Sequence, residues 1–314
     1  MAALTLSRVL AVAGPAAATG GRAGLAADVG VDGGRYLPRM RFSVTTGAAG
    51  PGLDPAGLAR LAAQAERSGW DGFFLEDYLV YQGRTDVPTY DPWICLAAMA
   101  VATTRIRLGT TVTPLPRRRP WKLASEAVSV DVLSGGRLIL GVGSGDGNEP
   151  GFGAVGEPVH PRERAERVDE GLAIITGLWT GRAVRHEGAH YRVDGLRYAA
   201  RPVQRPRIPV WIGGDLLAPG VRRRIARWDG CCAYKGPPQA SEGPITPADV
   251  RDLLAFVARE RGHCEDFDVK VSGIDDPDGI AALADAGATW WGRWLAPGDP
   301  ARIEDAILAG PPRV

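Results

Sequence analysis

Four runs of this 314-residue chain stop in residues that could do chemistry. Gly72-Phe-Phe-Leu-Glu-Asp77-Tyr78 ends in a carboxylate and a phenol, and Leu108-Gly-Thr-Thr111-Val112-Thr113-Pro114 ends in hydroxyls. Leu138-Ile-Leu-Gly-Val-Gly143-Ser144-Gly145-Asp146 ends in small residues and a second carboxylate, and Pro209-Val-Trp-Ile-Gly213-Gly214 ends in two glycines. Asp77 could act as a general acid or accept a hydrogen bond from a cofactor edge; a helix cap or a buried salt bridge is an equal reading. Small residues around Ser144 let backbone amides approach a flat or phosphorylated ligand. Gly213-Gly214, with a helix starting near Pro219, suits an anion because unpaired amides gather at a helix start. The glycine density of Gly141 to Gly147 resembles a dinucleotide fingerprint, but Asn148-Glu149-Pro150-Gly151 follows where that motif must enter a helix.

These residues need a scaffold that brings the ends of separate strands together. From Arg41 onward, eight β-rich runs alternate with eight helical patterns. The strands are expected at Phe42–Thr45, Gly72–Leu75, Ile106–Val112, Leu138–Val142, Pro209–Ile212, Gly230–Tyr234, Phe267–Val271 and Thr289–Leu295. Asp54-Pro55, Asp91-Pro92, Thr246-Pro247, Asp276-Pro277 and Asp299-Pro300 each set a capping residue before a proline suited to a first helical turn. The pattern predicts a (β/α)8 TIM barrel with insertions after strand four and before strand five, the latter containing a small hairpin near His190 to Val193. An open doubly wound sheet is the alternative, and the eighth strand argues against it. In a barrel the active site gathers where strands end.

Composition narrows the function classes. The 37 basic and 36 acidic residues nearly cancel, which leaves no field of one sign for nucleic acid or an anionic membrane. The arginine runs 117–119 and 222–224 read as solvated helix starts and faces. Cys95, Cys231, Cys232 and Cys264 show neither disulfide density nor metal-ligand spacing, which fits a reducing, cytoplasmic setting. Gly188 separates His186 from His190, so no metal site is expected. Residues 1–39 are rich in Ala and Gly and are expected to be a disordered or mis-started extension, with the domain running over 40–314.

Together the motifs resemble the bacterial luciferase-like family of flavin- and deazaflavin-dependent oxidoreductases, from Met40 to about Leu308. The carriers are Gly69-Trp-Asp-Gly-Phe-Phe-Leu-Glu-Asp77, Leu108-Gly-Thr-Thr-Val-Thr-Pro114, Leu133-Ser-Gly-Gly-Arg-Leu-Ile-Leu-Gly-Val-Gly-Ser-Gly-Asp146, Arg201 to Gly214, and Gly287-Ala-Thr-Trp-Trp291. The resemblance implies an eightfold barrel whose strand ends hold FMN or coenzyme F420. It implies a non-prolyl cis peptide at Thr111-Val112, and ring or substrate contacts at Asp77, Thr113, Ser144, Gly145 and Asp146. Gly213 and Gly214 match a phosphate loop. One departure stands out: many F420-using relatives place His where this chain has Tyr78, and a phenol with a pKa near 10 is a poor base at neutral pH.

The reading put first is a monooxygenase using reduced FMN and oxygen on a small organic substrate, served by a separate reductase and assembled as a homodimer. The alternative is F420-dependent hydride transfer. Further alternatives are a flavin-binding barrel without turnover and a Schiff-base lyase using Lys235 or Lys270.

Overall fold

The computed structural model describes residues 29–32, 35–38, 40–236 and 242–314. The expectation for the first 39 residues falls mostly outside them. Within that unit, Val29–Asp32 pairs antiparallel with Arg35–Pro38, and the chain divides after Arg39.

From Met40 the chain is a closed barrel. Its strands are β1 (Arg41–Gly47), β2 (Gly72–Glu76), β3 (Arg107–Thr110), β4 (Leu138–Gly143), β5 (Val210–Ile212), β6 (Gly230–Cys231), β7 (Asp268–Val271) and β8 (Trp290–Trp294). Every neighbouring pair is parallel, and β8 pairs with β1, so the sheet has no open edge. Closure of this kind excludes the open sheet. Inside the barrel Phe74, Ile139, Trp211 and Trp290 form a separate cluster. Its rings meet at 5.3 to 5.8 Å between centroids, within the range favourable for aromatic pairs. Gly72 is required beside it, because a Cβ there would come within 2.8 Å of both Phe74 and Trp290.

The outer helices are α1 (Pro55–Arg67), α2 (Pro92–Ala102), α3 (Pro120–Ser134), α4 (Pro161–Trp179), α5 (Pro219–Ile225), α6 (Pro247–Arg261), α7 (Pro277–Asp285) and α8 (Pro300–Leu308). Each begins with proline, whose missing N–H would be unsatisfied there anyway. The side chains of Asp54, Asp91, Asp276 and Asp299 accept first-turn amides, and Thr246 forms a reciprocal capping box with Asp249.

Both expected insertions are present. Residues 144–160 include one short helical turn, Pro150–Gly153. Val184–Glu187 and Arg192–Leu196 form the hairpin before β5. Glu170 of α4 holds that hairpin, accepting from the amides of Ala189, His190 and Tyr191 and meeting His186 Nε2 at 3.1 Å. His190 Nε2 lies 2.9 Å from Glu166.

Three expectations need correction. Strand β3 stops at Thr110 rather than Val112; the Thr111-Val112 peptide just beyond it is cis, and Thr113–Pro114 then pairs briefly with β4. Strand β6 is shorter than expected, with Tyr234 bridged instead to Asp215. The arginine runs are only partly solvated: Arg119 and Arg223 are exposed, but Arg224 is buried against Asp169, and the Arg117 side chain is buried against Asp77. No helix among the described residues is long and apolar enough to cross a membrane.

The Ser134-Gly-Gly-Arg137 segment shows why that motif suits its place. Gly135 and Gly136 have φ of 67° and 87°, ending α3 in a left-handed turn that most residues resist. The turn aims the buried Arg137 guanidinium at the end of α2. There it donates to the carbonyls of Ala100, Thr103 and Ile106 at 2.8 to 2.9 Å, and to Thr103 Oγ1 at 2.8 Å. A cation at a helix C-terminus satisfies both the orphan carbonyls and the dipole. Arg137→Met should lower unfolding free energy by about 3 kcal/mol, because buried acceptors lose their donors. Urea denaturation checks this, with an unchanged midpoint counting against it.

Candidate active site

The C-terminal ends of the strands surround a cavity of about 710 Å³. Its wall includes Asp77 and Tyr78 beyond β2, Thr111 and Val112 beyond β3, Ser144, Gly145 and Asp146 beyond β4, and Gly213 and Gly214 beyond β5. Nine of the ten residues singled out from the sequence are therefore together. The exception is Thr113, which is fully buried beside the cavity, donating to Thr110 Oγ1 and accepting from Trp93 Nε1, each at 3.2 Å. Its hydroxyl holds the turn rather than a ligand.

The seat of the cavity is made by subtraction. A Cβ at Gly213 would stand 2.5 Å from Val112 Cγ1, and one at Gly143 would stand 2.8 Å from Val112 Cγ2. Val112 can lie across the mouth only because both facing positions lack side chains. Thr111 Oγ1 is buried without a hydrogen-bond partner among the described residues. A smooth apolar seat beside an unsatisfied hydroxyl fits a planar ring system carrying polar edges.

Most amides around the Gly213-Gly214 loop, where the sequence suggested an anion cradle, are already engaged. The amides of Gly213, Leu216, Leu217 and Ala218 already donate to Val142, Tyr234, the Asp215 carboxylate and the Asp215 carbonyl. Asp215 also adds a negative charge there. Gly213 contributes space rather than a donor, and the Gly214 amide donates to no group among the described residues.

Charge holds the wall in shape. The Asp77 carboxylate, about 2% exposed, accepts from Arg118 at 2.8 and 2.9 Å and from Arg117 at 3.2 Å. Arg117 also donates to the Asp77 carbonyl, and its Nη1 meets both oxygens of Glu149 at 2.8 Å. The guanidinium lies 5.6 Å from the centre of the Phe152 ring. Of the two readings of Asp77, the structure displays the buried salt bridge. Asp146 Oδ1 accepts from the amide and side chain of Asn148, both at 3.0 Å. Tyr78 packs edge-on against Tyr81 at 5.1 Å. Burial, reinforced by the negative charges of Glu76, Glu149 and Asp146, pushes the Tyr78 phenol up to about 12, so it is neutral at physiological pH.

Several wall residues were not singled out from the sequence. Glu149 appeared there only as a helix breaker, and Glu76 was passed over for its neighbour. Cys232 lines the cavity with its thiol pushed up to about 11 by burial. Tyr234 lies beside it. For Glu76, Cys232 and Tyr234, their place at or just beyond strand ends is the signal that could have found them.

Residues 39–274 match the family described as luciferase-like monooxygenase, and the chain belongs to that family of oxidoreductases. Among curated relatives, the F420-dependent glucose-6-phosphate dehydrogenase of Nakamurella multipartita is 32% identical over 278 residues, which cover 86% of this chain and 78% of that one. Among solved structures, the F420-dependent tetrahydromethanopterin reductase of Methanopyrus kandleri superposes with a TM-score of 0.65 at 19% identity, covering 86% of this chain and 98% of its own. An F420-dependent secondary alcohol dehydrogenase holding an F420-acetone adduct gives 0.68 at 14%, covering 86% and 99%. At these identities the two structures show likeness of fold.

Asp77→Asn should destabilise the protein by about 3 kcal/mol, because it leaves two guanidinium groups partly uncompensated in a buried site. Thermal unfolding of the variant tests this. A loss within error of zero would mean that the pairing is not structural.

Proposed function

We propose that this protein is an F420-dependent oxidoreductase that transfers hydride between a deazaflavin held at the barrel mouth and a small organic substrate. The observation carrying the reading is the Val112 seat on Gly143 and Gly213, in a chain 32% identical to an F420-dependent dehydrogenase. The reduced-FMN monooxygenase put first on sequence grounds gives way to this alternative because the names of the similar proteins favour F420 over FMN.

A bound deazaflavin supplies a ring carbon that takes up or gives back hydride. The chain does the rest. Val112 would support the bound ring system, and Thr111 Oγ1, which has no partner among the described residues, would be free to hydrogen-bond it. Tyr78, as a neutral phenol, can donate a hydrogen bond but does not act as a base. The Asp77–Arg117–Glu149 cluster fixes one wall and is a positioning device rather than an acid or base. Lys235, one candidate for Schiff-base chemistry, is engaged by Asp249 at 3.0 Å.

Titrating the protein with F420 and with FMN, followed by ligand fluorescence, tests the reading. Saturable binding of F420 at least tenfold tighter than FMN is expected, and the reverse preference would return the chain to flavin chemistry. Gly213→Ala should weaken F420 binding about tenfold, since overpacking of this kind costs roughly 1–3 kcal/mol. Unchanged affinity in the same titration would remove Val112 from the seat.

A further inference from the structure

A second, inner chamber of about 240 Å³ lies against β1, β7 and β8. It shares Glu76, Thr111, Cys232 and Tyr234 with the outer cavity, so Glu76, at the end of β2, stands in the passage between the two. Its walls set the polar groups of Thr45, Ser272 and Lys270 among apolar surface, with Trp294 on one side. Glu76 Oε2 is buried and has no hydrogen-bond partner among the described residues. A buried polar atom left in this way costs stability and asks for a ligand.

The other acids of these walls are engaged. Asp77 lies between Arg117 and Arg118, Glu149 grips Arg117, and Asp146 accepts from Asn148. The groups facing Glu76 are Lys270 from β7, Tyr78 and Tyr81 beyond β2, and Trp294 from β8, and none of them satisfies Oε2. Burial raises both phenols, leaving them neutral. Burial also pushes Glu76 up to about 6, against the opposing pull of Trp294, Lys270 and Tyr81.

We propose that the inner chamber receives a compact hydroxylated substrate of a few carbons and that Glu76 is the residue exchanging the proton of its reacting hydroxyl. The inference rests on the hydride-transfer reading above. During oxidation the substrate C–H bond breaks and its electron pair leaves as hydride to the oxidised deazaflavin. The O–H bond breaks, its proton passes to the Glu76 carboxylate, and the carbonyl π bond forms. Reduction of a carbonyl runs the same transfers backward. Lys270 keeps the carboxylate available by opposing its burial, and the polar hydroxyls of Thr45 and Ser272 suit a hydroxylated guest.

The test uses the full chain, F420, and three alcohols: propan-2-ol, butane-2,3-diol and glycerol. Wild type should reduce F420 with at least one of them, the rate rising with pH through about 6 to a plateau as Glu76 ionises. Glu76→Gln should bind F420 within threefold of wild type, lose turnover by about 10²–10⁴-fold, as removal of an acid–base group does, and lose that pH limb. Glu76→Asp should recover part of the rate, and it serves if Glu76→Gln does not fold. A readout independent of turnover is carbon-13 NMR of labelled glutamate carboxyls in the cofactor-free protein, where one resonance should titrate near pH 6 and vanish in Glu76→Gln. A Glu76→Gln enzyme that turns over within a few-fold of wild type with the same pH profile, or the absence of that resonance, overturns the role of Glu76. Failure of all three alcohols with F420 bound overturns the substrate class, whereas failure to bind F420 at all overturns the underlying reading and this inference with it.

Discussion

A carboxylate held between two guanidinium groups sets the geometry of this barrel's mouth. Asp77 extends the end of β2, Arg117 and Arg118 follow the turn beyond β3, and Glu149 belongs to the loop beyond β4. Three consecutive strands are thereby tied at their upper ends by charges that have little access to water. A cluster of this sort contributes modest net stability after desolvation, but it tolerates few arrangements. It fixes where Tyr78, the Thr111-Val112 turn and the Ser144–Asp146 loop can stand relative to one another. The Val112 seat and the passage at Glu76 inherit that geometry.

Below the mouth, the interior changes character in steps. Phe74, Ile139, Trp211 and Trp290 plug the barrel with apolar bulk. Above them Lys270 lies 5.7 Å from the Phe74 ring centre and donates to Thr45 Oγ1 at 3.3 Å. Burial lowers its pKa, while Cys232 and Glu76 act in the opposite sense. Such a buried cation is tolerable because a carboxyl and a ring face share its surroundings. On the proposed reading, the layer between the plug and the mouth is where a substrate would meet both protein and cofactor.

The architecture was legible because its signals are local. Eight apolar runs, the prolines at 55, 92, 247, 277 and 300 with their caps, and the Gly135-Gly136 stop are each complete within a few residues. The cis peptide at Thr111-Val112 came through family resemblance. What stayed hidden depends on partners distant in the chain. Arg117 reads as solvent-facing until Asp77, forty residues earlier, and Glu149 are brought to it. Thr113 looks like a ligand contact until Trp93 takes its hydroxyl. Gly213 and Gly214 look like a full cradle of donors until Val142, Asp215 and Tyr234 take most of the surrounding amides and leave that of Gly214. Glu76 and Asp77 are adjacent in sequence, and only their surroundings separate their chemistry: Asp77 lies between two guanidinium groups, whereas Glu76 keeps one buried oxygen without a partner among the described residues.

The prolines that open all eight outer helices have a corollary for the loops before them. A proline cannot extend its helix backward, and it biases the residue before it away from helical geometry. Residues gained or lost in the preceding loop therefore cannot be absorbed as another helical turn. Rim segments such as 144–160 are thus mechanically insulated from the packing beneath. A change in rim length on this scaffold therefore leaves the register of the walls undisturbed.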